Sequence, residues 1–265
     1  MLSMNRAIRN DLTALELLLQ ELGVTEPNDI DLEPIAYHVG CQVRYRPLDG
    51  CEACILEAGA RAIITITTRT SKTRQRFSLG HELGHWHYHR GRSSICRPED
   101  IANQARSPLD PERTADAYAA DLLLPRYLFA PRLIGAGRPS FTTVERLATE
   151  FRTSITATAL RFVEFTPSVM LISHAAHGRK WFKPAKDIPS RWFPRDELDT
   201  DSYAFDVLHG EKDRSRIVRI GADAWFNRSE ARRYEIFEET IRIGANDILT
   251  LLTLNVPKML EEWSR

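Results

Sequence analysis

The chain has 265 residues, 43% hydrophobic and 27% charged, the make-up of a globular protein with room for one large domain or two modest ones. Lys plus Arg and Asp plus Glu both number 36, so the net charge is zero and nothing overall points to nucleic acid or to an acidic solvating tail. Four cysteines are too few for a disulfide scaffold, no run approaches the roughly 18 apolar residues of a membrane span, and the N-terminus lacks an apolar signal core. The expectation is a cytoplasmic protein with reduced thiols and no membrane association.

Residues 8–22 predict an amphipathic helix, with Leu12, Leu15, Leu18 and Leu19 at helical spacing and Gly23 as its stop. Asp31 caps a second helix that ends at Gly40. Short strands follow at 42–45, 53–57 and 62–67, separated by turns at Asp49-Gly50 and Gly59. The third strand is a candidate edge for binding a substrate backbone by strand addition, or else an ordinary sheet strand. Cys51 and Cys54 have CxxC spacing, and Cys41 or Cys96 would have to complete a structural zinc site, since no second CxxC exists. Reduced thiols are the simpler account. The basic run from Arg69 to Arg76 reads as a solvated helix entrance, or as a contact for an acidic substrate segment or DNA.

The chemistry concentrates in residues 74–90, which contain His81-Glu82-Leu83-Gly84-His85, an HExxH motif. On a helix, residues four apart share a face, so His81 and His85 can offer ring nitrogens to one zinc ion. Glu82 lies beside them as a base for a water molecule. Ser71 or Thr73 supplies the N-cap, and Gly80, a poor helix former, makes sense as a close-packing site beside the metal. A third ligand is required. A metzincin would place a histidine at position 91, which is Gly91; His89 lies a turn too far along to share the ion, and His87 points elsewhere. Residues 91–109 form a polar connector long enough to be functional, with a cover for the cleft as its candidate role. Cys96 within it is an inert thiol or a thiolate that blocks the metal. Asp110 and Pro111 then open another helix, with Glu112 and Asp116 one turn apart on one face. Glu112 is the better third ligand and Asp116 can orient a ligand histidine. The competing reading is a solvated acidic first turn favoured by the helix dipole. Tyr118 and His87 are candidates for stabilising an oxyanion.

The stretch from Arg74 to His89, joined to Glu112, Asp116 and the Tyr118-Ala-Ala-x-Leu-Leu-Leu-Pro125 run, resembles the ImmA/IrrE family of metallo-endopeptidases. The resemblance also takes in residues 31–40 and the strands after them, about residues 10 to 165 in all. It implies a small gluzincin-like peptidase with metal ligands His81, His85 and Glu112 and general base Glu82. It also implies a substrate, a helix-turn-helix repressor. Thr114 departs from the pattern, since many members carry a second acidic residue there.

Residues 127–134 predict a short helix, and Thr142-x-x-Glu145 a capping box for the next. Helices 142–151 and 154–164, joined by Arg152-Thr153, have a helix-turn-helix outline, but without a basic cluster they favour packing over direct DNA binding. Beyond Pro167 come strands at 168–173, 180–182 and 216–220, a helix at 203–208, a hairpin of 233–243 with 248–254, and a closing helix at 257–265. Trp181, Trp192, Phe193, Trp225 and Phe226 line a pocket or fill a core. Some radiation-response members of the family carry a GAF-like sensor here; no specific motif in 167–265 carries that match.

The expected fold is α+β: a zincin-like metallopeptidase domain of helices and a small sheet over 1–135, a helical pair over 136–166, and an α+β C-terminal domain over 167–265. The expected function is zinc-dependent cleavage of a protein substrate, a repressor in a stress or mobile-element response, using one Zn2+ per chain. The alternative is a zinc-bearing regulatory module that binds a transcription factor without cutting it. The sequence is silent on oligomeric state.

Overall fold

The structure, a computed structural model, describes residues 12–90, 94–96 and 110–261. The expected α+β class is what it has: helices with two separate sheets. The chain forms two compact units. The first runs to Ile134 and includes Ala148–Ser154; the second comprises Gly135–Leu147 and the chain from Ile155 onward.

In the first unit, helix α1 spans Ala14–Glu21. It starts later than the leucine spacing predicts, because Thr13 and Glu16 close a capping box; the earlier part of that expected helix, before residue 12, lies outside the described residues. Gly23 follows its end at φ +79°, a left-handed stop. Helix α2 is Leu32–His38, capped by Asp31. Strands β1 (Cys41–Arg46), β2 (Ala53–Ala58) and β3 (Arg61–Thr67) precede the long helix α3, Lys72–Tyr88, capped by Ser71. Strand β4 (Ser94–Cys96), helix α4 (Pro111–Leu123) and helix α5 (Arg126–Phe129) follow.

The sheet order is β1-β3-β2-β4. Strand β3 is therefore not an edge: it pairs in parallel with β1 and antiparallel with β2. Its composition explains the correction, since Ala62, Ile64, Thr65, Ile66 and Thr67 are all buried and a strand covered on both faces belongs inside a sheet. The connector is not wholly loop either. It contains β4, in which Cys96 stands opposite Ala53. The rest of the connector lies outside the described residues.

The helical pair is α6 (Phe141–Phe151) and α7 (Ile155–Phe165). In the second unit, strands β5 (Val169–Ala175), β6 (Gly178–Pro184), β7 (Val218–Gly221), β8 (Glu235–Arg242) and β9 (Asp247–Thr253) form a sheet in the order β6-β5-β9-β8-β7. Helix α8 spans Tyr203–His209 and α9 Pro257–Leu260. Trp192, Trp225 and Phe226 are buried core residues, whereas Phe193 is exposed.

Two adjacent carboxylates of β8 point to opposite faces and each holds a helix start. Glu238 is fully buried and accepts from Ala204 N in α8 at 2.6 Å and from Trp225 Nε1 at 2.8 Å. Glu239 accepts from Phe141 N, the first residue of α6, at 2.7 Å. The expected Thr142–Glu145 capping box is thus replaced: Ser140 Oγ accepts from Thr143 N at 3.3 Å and Glu239 accepts from the buried amide of Phe141. Burial raises the pKa of both glutamates, Glu238 to about 7, because no buried charge is easily sustained. Replacing Glu239 by Ala leaves Phe141 N–H without its acceptor, at a cost of roughly 1–3 kcal/mol. Glu239→Gln keeps an acceptor and recovers most of that. Urea unfolding of both variants checks this; equal midpoints for Ala and wild type would contradict it.

Candidate metal centre

Helices α3 and α4 meet through small residues. A Cβ added at Gly84 would stand 2.8 Å from Ala115 Cα and 3.0 Å from Ala115 O, so nothing larger than glycine fits there without a shift. One turn earlier, a Cβ on Gly80 would lie 3.2 Å from Ala119 Cβ. The glycines weaken α3 as a helix and let α4 approach. Along the same helix, Leu79, Leu83 and Trp86 are buried, and Trp86 Nε1 donates to Val39 O at 2.8 Å.

That approach brings four side chains together. His81 is fully buried and His85 is 3% exposed. Their Nε2 atoms are 3.0 Å apart. Glu112 sends one oxygen to within 3.1 Å of His81 Nε2 and the other to within 3.4 Å of His85 Nε2. One ligand atom from each of these three residues lies within 4.8 Å of the others, the only such group of metal-binding side chains among the described residues. Asp116 Oδ1 lies 2.9 Å from His81 Nδ1, on the far side of that ring. Asp110 accepts from Glu112 N at 3.0 Å and so fixes the helix start that carries Glu112. Glu82 is fully buried, close enough that its charge bears on His81.

The donors fit a divalent cation. Two imidazole nitrogens that face each other at 3.0 Å cannot both present lone pairs unless a proton or a metal lies between them and the carboxylate. In the metal-free chain that proton belongs to His81. Burial works against its charged ring, but the hydrogen bonds to Asp116 and Glu112 outweigh burial and raise its pKa from 6.5 to about 9. Glu112 shows the converse: burial would raise it, and the contacts with His81 and His85 hold it well below the usual carboxylate range.

The other sequence candidates are placed as follows. His87 and Tyr118 stack on one another with ring centroids 5.4 Å apart. Burial pushes the Tyr118 hydroxyl up to about 12, so it stays protonated. Cys41, Cys51 and Cys54 are free thiols, and burial pushes Cys41 up to about 12. The side chain of Cys96 lies outside the described residues. The basic run is engaged within the chain, which favours the reading as a helix entrance. Arg69 pairs with Asp49, Arg74 Nε meets Glu52 Oε2 at 2.5 Å, and Arg76 donates to Ile30 O at 3.2 Å. Sequence reasoning missed one neighbour of the site: His89, whose Nδ1 lies 3.3 Å from His85 Nδ1. Its spacing of four from His85 was the available signal.

An HExxH helix whose histidines meet a carboxylate from the next helix defines a metallopeptidase-like site. Comparison with known proteins agrees. Residues 36–163 match the M78 peptidase family model, described as the IrrE N-terminal-like domain. A solved structure with a similar fold is a Mycobacterium tuberculosis transcriptional regulator, at a TM-score of 0.59 and 13% identity, covering 92% of this chain and 77% of that one. No curated protein matches the chain. Among the described residues no helix is long and apolar enough to cross a membrane.

His81 links metal binding to pH. Its raised pKa means that, in the metal-free chain, its contribution to stability is complete below about 6.5 and is lost as pH rises through about 9. A metal acts in the opposite direction, because the ligand nitrogen must be bare. Below pH 9 the ion displaces about one proton from His81, so its apparent affinity should fall about tenfold per pH unit. Calorimetric titration in buffers of different ionisation enthalpy measures that proton; binding with no pH dependence between 6 and 8 would contradict the His81 assignment.

Proposed function

We propose that the chain is a zinc-dependent endopeptidase that cuts a protein substrate, a helix-turn-helix repressor, in a stress or mobile-element response. The observation that carries the reading is the convergence of His81 Nε2, His85 Nε2 and the Glu112 carboxylate on one buried point with Glu82 beside it. A donor set of two imidazoles and one carboxylate, with no sulfur, suits zinc in a catalytic site with a position left for water. When bound, zinc polarises a scissile carbonyl and acidifies a water molecule.

The side chains do the rest. Asp116 accepts a hydrogen bond from His81 Nδ1–H, which holds the tautomer whose Nε2 is bare for the ion. Glu112 neutralises one of its two charges. Glu82, adjacent to His81 in sequence and enclosed by the fold, takes the proton of the attacking water and later delivers it to the leaving amine. The repressor as substrate is what the resemblance to the ImmA/IrrE family implies; the neighbouring structure is itself described as a transcriptional regulator.

A Glu82→Gln variant should retain its metal and lose about 10²–10⁴-fold in cleavage rate. Captured from the source cell with its bound proteins, it supplies candidate substrates for incubation with wild type. Cleavage by wild type and not by the variant supports the reading. A partner that binds both and stays whole while zinc is present would make this a binding module instead. Glu112→Ala should lose zinc on dialysis, and full retention would remove Glu112 from the ligand set.

A further inference from the structure

A neutral imidazole carries one proton, so a histidine that ligates a metal through one nitrogen presents N–H at the other and needs an acceptor there. His81 meets this need with Asp116. His85, with its Nε2 turned to His81 Nε2 and Glu112, has its other nitrogen 3.3 Å from His89 Nδ1, with ring centroids 5.3 Å apart and planes inclined by 52°. His89 is carried one turn further along the same helix and its backbone is fixed as the C-cap, where its N–H donates to His85 O at 2.8 Å.

Resting on the metal-centre reading above, we propose that His89 is a positioning residue of that centre: its Nδ1 accepts a hydrogen bond from His85 Nδ1–H and so holds His85 in the tautomer that presents Nε2 to the ion. His89 is then the Nε2–H tautomer. The contact is not a ligand bond, which accounts for a third histidine in the run His81, His85, His89 that lies too far along the helix to share the metal with His81.

The test compares two replacements in the full chain, stripped of metal and titrated with Zn2+ against a chelator and with Co2+ alone. His89→Phe keeps a ring and removes the acceptor. His89→Asn puts Oδ1 where Nδ1 stood and keeps it. The expected result is Zn2+ affinity lowered about 10–100-fold in the Phe variant, with a changed Co2+ visible spectrum, and affinity and spectrum restored by Asn. Thermal unfolding of the metal-free variants should match wild type. Phe binding as tightly as wild type with an unchanged spectrum overturns the proposal. Equal losses in Phe and Asn also overturn it, because the effect then follows the helix end and not the acceptor. Failure of the peptidase reading would look different: wild type would bind metal, respond to His89→Phe as predicted, and cut nothing. A wild-type chain that takes up no metal would overturn both.

Discussion

The site depends on how closely two helices approach. Gly84 lies against the backbone of Ala115, and Gly80 against Ala119, with less room than a methyl group requires. That approach puts Glu112 and Asp116 on either side of one imidazole, 3.1 Å from its Nε2 and 2.9 Å from its Nδ1. Each of these contacts spans the helix interface, so widening it would break them together. Alone, α3 is an indifferent helix, since two interior glycines each cost about 1 kcal/mol relative to alanine. Burial of Leu79, Leu83 and Trp86 offsets this, so the helix is held by its packing and not by its propensity.

The charges follow from that packing. Glu82, Glu112 and Asp116 gather around two buried imidazoles. Carboxylates in such surroundings need a compensating cation. In the metal-free chain the cation is a proton on His81, held by Asp116 and Glu112 against the cost of burial. A divalent ion replaces it and satisfies the three ligand atoms at once. The outward nitrogen of each histidine ring faces a further partner, Asp116 for His81 and His89 for His85.

Much of this was legible from local pattern. The capping signals at Ser71 and Asp110 located α3 and α4, and the four-residue spacing placed His81 with His85, and Glu112 with Asp116, on one face of each helix. What escaped was set by partners distant in sequence. Strand 62–67 looked like an edge because nothing local says that β1 and β2 flank it. The short β4 in the connector exists because β2 offers it a partner. The start of α6 has a local cap in Ser140, but its first amide is held by Glu239, 98 residues away from Phe141, a partner that no nearby motif could reveal. Gly84 occupies an unspecified position of HExxH, and only the facing Ala115 makes its missing side chain a requirement. His89 was weighed as a ligand and set aside on distance; its contact with a ligand's other nitrogen follows from the same four-residue spacing.

The most direct test of the metal centre is X-ray absorption at the zinc edge on the metal-loaded full chain. The account predicts a first shell of nitrogen and oxygen at about 2.0–2.1 Å with the outer-shell pattern of two imidazoles, and no sulfur. A sulfur scatterer at about 2.3 Å would place the ion on the cysteines instead, and would contradict the assignment to His81, His85 and Glu112.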